Sequence, residues 1–313
     1  MQVNLAKAVA LLNSGKVVAI PTETVYGLAA DARNEDALRE IYAIKQRPAD
    51  NPLIVHIASS EQVLDWAETF SPLAQKLAKA FWPGPFTLVL PAKSTVSSIV
   101  RAGEPTVALR VPAHPVAQQL LQQTGLALAA PSANKYTQLS PTTAQHVKNG
   151  LGAHVAVLDG GACQVGIEST IVAVNGDQWQ LLRLGMIAEM DVKAVAGLAA
   201  TVEKQVCPKA PGQHLLHYSP KTPMQLFSSR QALMQAAATE TNCAALLIGE
   251  GKMTNSPTFN LPNNPAGMAE KLYETLHQMD ALRMTKLLIE TPPKSPAWLA
   301  IHDRLGRASY KID

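Results

Sequence analysis

Ile20-Pro-Thr-Glu-Thr-Val-Tyr-Gly-Leu28 and, further on, Lys45-Gln-Arg-Pro-Ala-Asp-Asn-Pro-Leu-Ile-Val-His56 flank the segment Glu35 to Lys45, and this order decides the fold. Leu38, Ile41, Tyr42 and Ile44 recur at helical spacing behind Asn34, whose side chain suits an N-cap, so one helix separates two polar loops. The apolar run Val17 to Ile20 feeds the first loop. Leu53 to Val55, flanked by Asn51 and His56, follows the second. Strand, loop, helix, loop, strand is an α/β pattern, and in such folds polar loops at strand ends hold ligands. Pro48 biases Arg47 toward extended chain while Lys45 stays in the last helical turn, so the two cations can converge on one anion. The helix dipole by itself favours cations at this end, by ~0.3 to 1 kcal/mol. The company of Thr22, Glu23, Thr24, Tyr26 and Asn51 is what points beyond the dipole to a ligand.

The chain has 313 residues, 47% hydrophobic and 16% charged, enough for two domains with packed cores and against disorder. A formal charge of +3 over this length, with no Lys/Arg cluster, argues against a nucleic-acid footprint. Cys163, Cys207 and Cys243 are odd in number and lack metal-ligand spacing, as expected of reduced thiols in a cytoplasmic protein, and no metal site of the protein's own is expected. The apolar face Leu5, Ala8, Val9 and Leu12 is interrupted from Asn13 to Lys16 and ended by Gly15, an ordinary first helix. No apolar run approaches the ~20 residues of a membrane span.

Beyond the second loop, helices are expected over Glu61 to Phe70 and Leu73 to Phe81, a turn over Trp82 to Thr87 and a strand over Thr87 to Leu90. Thr106 to Val111 reads as a strand with Thr106 and Arg110 on one face, Arg110 being either solvated at an edge or buried against an anion. The small apolar strand Leu126 to Ala130 runs into Pro131-Ser-Ala-Asn134. Ser140-Pro-Thr142 is expected to open a helix with Ser140 as N-cap, a helix start that is also an anion site. Val155 to Leu158 is a strand, and Gly166 to Val172 a polar turn feeding another. Arg183 stands in an apolar setting and needs a partner.

From Thr201 to Pro223 four prolines and Gly212 preclude regular structure, while His214, His217 and Tyr218 supply more than a spacer needs. The expected division is a catalytic domain over 1–200, a linker over 201–223 acting as a lid with Tyr218 near a nucleotide, and a small domain over 224–313. In that last part Met224 to Phe227, Ala244 to Ile248 and Leu287 to Glu290 read as strands. They alternate with helices over Arg230 to Ala238, Gly267 to Met279 and Ala297 to Arg307, a small α/β unit.

Taken together, Pro21-Thr-Glu-Thr-Val-Tyr-Gly27, Lys45-Gln-Arg47 with Asn51-Pro-Leu-Ile-Val-His56, Pro85-Phe-Thr-Leu88, Val107-Ala-Leu-Arg110-Val-Pro112, Pro131-Ser-Ala-Asn134, Ser140-Pro-Thr142 and Glu168-Ser-Thr-Ile171 resemble the L-threonylcarbamoyladenylate synthase family. Ala210-Pro-Gly212, His217-Tyr-Ser-Pro-Lys221 and Ala300-Ile301 with Asp303-Arg-Leu305 resemble its long, two-domain form. The resemblance implies a YrdC-like twisted mixed sheet with helices, followed by a small Rossmann-like α/β domain. It implies synthesis of threonylcarbamoyl-AMP and pyrophosphate from L-threonine, bicarbonate and ATP with Mg²⁺ carried on the phosphates. The downstream partners would be a threonylcarbamoyl transferase complex and tRNA. By matching motif, Lys45, Arg47, Asn51, Thr106, Ser132, Asn134, Ser140, Arg183 and Tyr218 would bind ATP, with Lys45, Arg47, Ser132 and Asn134 catalytic. Thr24, His56, Arg110 and Ser169 would bind L-threonine, Arg110 forking its carboxylate. The chain departs from the family pattern at Lys135 to Leu139, Leu184, Gln213, Leu215 and Leu216. A non-catalytic RNA-binding module is disfavoured by the weak charge. A related carbamoyl transferase or a 3,4-dihydroxy-2-butanone-4-phosphate synthase is disfavoured by the second domain.

Overall fold

A computed structural model describes residues 1–197, 211 and 217–309. The chain divides into two units: Met1–Tyr136, Pro141–Gln164 and Glu168–Gln213 form the first, and Thr137–Ser140, Val165–Ile167 and His214–Asp313 the second. Most of the expected lid, 201–210 and 212–216, lies outside the described residues. Among the described residues no helix is long and apolar enough to cross a membrane.

Among the described residues the first unit carries ten strands: β1 (Gln2–Val3), β2 (Val18–Ile20), β3 (Gly27–Asp31), β4 (Ile54–His56), β5 (Phe86–Pro91), β6 (Thr106–Arg110), β7 (Leu128–Ala129), β8 (Ala156–Leu158), β9 (Thr170–Asn175) and β10 (Gln178–Arg183). They form one mixed sheet in the order β1-β8-β2-β3-β7-β4-β6-β5-β9-β10. The sheet is covered on both faces near β2, β3 and β8, where alternate residues enter different cores. Leu28 and Val157 pack with Ile41 and Val147 of helices Glu35–Lys45 and Ala144–Leu151. Ile20, Ala29 and Leu158 pack with Leu12, Leu120 and Leu121 of helices Leu5–Asn13 and Pro115–Thr124. Each fully buried Leu or Ile contributes ~1.5 to 3 kcal/mol, so the helix Glu35–Lys45 is held mainly by this face. It begins where the sequence places it, the Asn34 side chain accepting from the Asp36 and Ala37 amides.

In the other half, Val55, Leu88, Leu109 and Val172 point into one core with Leu77 and Trp66. The reverse face of the same strands carries a small apolar patch, Ile54, Val89, Ala108, Ile171 and Leu182. Two residues along from that patch, His56, Arg110, Thr87 and Ser169 follow Ile54, Ala108, Val89 and Ile171 on the same face. Because β4 and β6 are parallel, β5 antiparallel to β6 and β9 parallel to β5, these four positions gather at one end of the strands.

Three expectations change. The helix over 61–70 is short, a 3-10 turn Ser60–Gln62 continued by Val63–Trp66, because the chain then leaves to pair with the end of β5: Ala67 bridges Ala92 and the Glu68 amide donates to Pro91 O at 2.9 Å. Gly27–Asp31, placed partly in a loop, is a strand between β2 and β7. Ser140 caps no helix: the helix opens at Ala144 behind Thr143, whose hydroxyl accepts the His146 amide at 3.2 Å. The Pro141 carbonyl instead accepts the Tyr26 amide at 2.8 Å.

The second unit contains a parallel sheet of β11 (Met224–Phe227), β12 (Cys243–Ile248), β13 (Thr258–Leu261) and β14 (Lys286–Glu290) in the order β11-β14-β12-β13. Its helices are Arg230–Thr239, Pro265–Ala281 and Leu299–Ala308. β13, which sequence reading does not find, lies at the sheet edge.

Candidate active site

Lys45 is the last residue of its helix, which closes on Gln46 in the left-handed region (φ 52°), with the Arg47 amide returning to Tyr42 O at 3.1 Å. The Lys45 ammonium is fully buried and donates to the Ser132 carbonyl and, at 2.6 Å, to the Asn134 carbonyl. Helix-dipole capping therefore does not explain the residue. Burial, and next the neighbouring Arg47 charge, hold the Lys45 pKa well below its ordinary value. Arg47, also buried, donates to Pro52 O at 3.2 Å and lies 5.8 Å from the Tyr136 ring centroid, within cation–π range. The Asn51 carbonyl accepts from Tyr42 Oη at 2.9 Å, and Ser132 bridges Gly27 of β3. Lys45, Arg47, Ser132 and Asn134 thus form one cluster.

A second cluster lies where β4 and β6 end, at His56 and Arg110. Arg110 is buried and uses three N–H groups: Nη2 to Glu23 Oε1 at 2.6 Å, Nη1 to Thr24 Oγ1 at 2.9 Å and Nε to Gly84 O at 3.1 Å. The open question about Arg110 is settled in favour of burial against an anion, and the anion is Glu23. Burial alone would raise the Glu23 carboxyl, but the Arg110 charge and hydrogen bond outweigh it and hold the group below its usual range. Its Oε2 makes no hydrogen bond among the described residues. His56 stands opposite Arg110 in the β4–β6 register. Burial and then the Arg110 charge pull its pKa down to about 3, so the ring is neutral. Thr24 Oγ1 lies 2.8 Å from Thr22 Oγ1, and burial beside the Glu23 charge pushes the Cys163 thiol up to about 12, leaving it inert.

Ser169 Oγ sits 2.8 Å from Thr87 Oγ1 and accepts from Arg183 Nη2 at 3.0 Å, while Arg183 Nε donates to Ser169 O at 3.0 Å and Nη1 to Pro211 O at 3.0 Å. Arg183, expected beside ATP, is thus brought onto a residue expected beside threonine. Gly185 makes that contact possible: a Cβ there would lie 2.4 Å from the Thr170 amide nitrogen. Thr106 shares the face of Arg110 but opens β6, ~13 Å of strand away.

Two expected nucleotide ligands belong to the second unit. Ser140 is buried, its carbonyl 3.1 Å from His277 Nε2. Tyr218 is buried with a left-handed backbone (φ 61°), its ring 5.9 Å from that of Tyr273 and 4.9 Å from the Arg304 guanidinium. Glu23 is the residue that sequence reasoning left without a role. The available signal was a carboxylate within an apolar and hydroxyl-rich stretch, matched by an Arg on a sheet face that needed an anion.

A family model described as "Telomere recombination", for Sua5, YciO and YrdC proteins, matches residues 10–185. One described as the threonylcarbamoyl-AMP synthase C-terminal domain matches residues 183–309. The threonylcarbamoyl-AMP synthase of Bacillus subtilis is 38% identical over 97% of this chain and 92% of its own length. That of Pyrococcus abyssi is 37% identical over 97% and 94%. The crystal structure of P. abyssi Sua5 complexed with L-threonine superposes with a TM-score of 0.90 at 33% identity, covering 99% of this chain and 97% of the other.

Proposed function

The chain belongs to the threonylcarbamoyl-AMP synthase family, and from that premise we propose how its residues divide the family's reaction. The reaction joins L-threonine, bicarbonate and ATP into threonylcarbamoyl-AMP, pyrophosphate and water. The observation that carries the division is the presence, in one unit, of two buried cation centres with different partners, Lys45 and Arg47 on the Ser132, Asn134 and Pro52 carbonyls and Arg110 on Glu23 and Thr24.

The cluster of Lys45, Arg47, Ser132 and Asn134, together with Thr106 and with Asn51, whose side-chain amide donates to Asp50 Oδ1 at 3.1 Å, takes ATP. Lys45 and Arg47 stabilise the negative charge that gathers on pyrophosphate as the threonine carbamate attacks the α-phosphorus. Fixed cations in a dry site cost no reorganisation at that moment. Arrival of the phosphates opposes the desolvation that depresses Lys45 and favours its charged form. Mg²⁺ would enter as the partner of ATP, carried mainly by its phosphates, and would supply further neutralisation of the charge on the departing pyrophosphate.

The cluster of Thr24, His56, Arg110 and Ser169 takes L-threonine. Two of the five Arg110 N–H groups remain for the carboxylate, and Arg183 fixes Ser169 from behind. The product serves a cytoplasmic threonylcarbamoyl transferase complex acting on tRNA.

The test is pyrophosphate release from ATP with threonine and bicarbonate each omitted in turn. Release is expected only with both, and equal release without threonine refutes the assignment. Serine, leaving a methyl-sized hole, should be poorer by ~1 kcal/mol or more.

A further inference from the structure

Burying an Arg–Glu pair costs desolvation that its mutual attraction only partly returns, so an interior pair is retained most readily where something else uses it. Side-chain exposure is 4% for Arg110 and 6% for Glu23. Each has unused polar capacity. Arg110 engages three of five donors, and Glu23 Oε2 is buried without a hydrogen bond among the described residues. Two seats of opposite sign therefore lie side by side, their charged atoms 2.6 Å apart. An α-amino acid zwitterion has the matching pattern, an ammonium and a carboxylate on adjoining carbons.

We propose that Glu23 seats the α-ammonium group of the amino-acid substrate through Oε2 while Arg110 takes its carboxylate, so that the buried pair reads the zwitterion. The assignment rests on the threonine reading of this cluster. None of the other groups around the pair is a second anion: His56 is neutral, Thr24 carries no charge, Gly84 contributes a carbonyl already engaged with Arg110 Nε, the Glu23 and Ala113 backbone amides that help to hold the carboxyl low are donors, His114 is an imidazole, and burial keeps the Cys163 thiol protonated. Held below its usual range by Arg110, the Glu23 carboxylate stays anionic and binds the ammonium rather than receiving its proton. Glu23 is on this account a specificity residue. It selects α-amino acids over hydroxy acids of the same shape when the substrate binds.

The experiment is calorimetric titration of the full chain with L-threonine and with (R)-3-hydroxybutyrate, which keeps the carboxylate, hydroxyl and methyl of threonine and lacks only the amine. In Glu23→Gln, threonine affinity should fall at least about tenfold, as expected for losing a charge-assisted hydrogen bond. The affinity for 3-hydroxybutyrate should stay the same or tighten. Glu23→Asp, which keeps the charge with a shorter reach, should lose less for threonine, and it carries the same two-ligand comparison if Glu23→Gln does not fold. Equal weakening of both ligands would show that Glu23 serves only to hold Arg110 and overturns the proposal, as does unchanged threonine affinity. Failure of the unmodified protein to bind threonine at all overturns the functional reading itself, and this assignment with it.

Discussion

Acid should destabilise the first unit through His56, and the amount can be worked from its surroundings. The ring is buried in β4, opposite Arg110, with Nδ1 making no hydrogen bond among the described residues. Burial and the Arg110 charge lower its pKa from 6.5 to about 3. In the unfolded chain the imidazole takes a proton below about pH 6.5, and in the folded chain it refuses one until about pH 3. The unfolded state therefore binds more protons across that window, and stability is lost as pH falls through it. Each unit of difference is worth about 1.36 kcal/mol, so His56 alone removes about 3 kcal/mol between pH 6.5 and pH 4. The perturbation is His56→Gln, which removes the titration while keeping a polar side chain of similar reach. Urea unfolding of both proteins at pH 7 and pH 4 gives a double difference in which the other titrating groups largely cancel. The unmodified protein should lose about 3 kcal/mol more than the variant on acidification. Equal losses would refute the claim that this histidine is held neutral by its site.

Lys45→Met should lower pyrophosphate release ~10²- to 10³-fold, the usual cost of removing a fixed stabiliser of transition-state charge; a lowered melting temperature with turnover intact would instead make the lysine a servant of the fold. Arg183→Lys cannot reproduce the paired Nε and Nη2 contacts to Ser169 and should raise the KM for threonine about tenfold, with kcat affected less. An unaltered KM would remove Arg183 from the threonine seat. Gly185→Ala forces a Cβ to within 2.4 Å of the Thr170 nitrogen and should cost ~1 to 3 kcal/mol, read as a lower melting temperature by calorimetry. A melting temperature equal to that of the unmodified protein would contradict the contact.

Where one residue type suffices to set local conformation, the sequence was readable. Asn34 capping, Pro48 and the spacing of Leu38, Ile41 and Tyr42 define the helix Glu35–Lys45, and β11 begins and ends at the expected residues. Elements set by tertiary partners were not. Gly27–Asp31 contains no β-branched residue and is a strand because β2 and β7 pair with it, the small side chains fitting two crowded faces. β1 has two residues and exists only against β8. Ser140-Pro-Thr carries a helix-start signature, yet the Tyr26 amide competes for Pro141 and shifts the cap to Thr143. The site divides in the same way. Lys45, Arg110 and Ser169 could be named from motif, but the destination of each charge depends on chain brought from far along the sequence: Ser132 and Asn134 for Lys45, Glu23 for Arg110, Arg183 for Ser169.

The ladder that joins β8 to both β1 and β2 has a kinetic consequence. Gln2 meets Val157 and Val18 meets Ala156, so this border of the sheet cannot form until nearly half the chain exists. Loop-closure entropy grows only slowly with length, so the delay weighs on the rate of folding rather than on final stability. During synthesis, Val18–Ile20, buried in the finished protein, would stand as an unpaired apolar edge, a template for pairing with other chains. A nascent chain stalled before Ala156 is therefore the species most exposed to aggregation, and the N-terminal strands, although made first, are locked in place late.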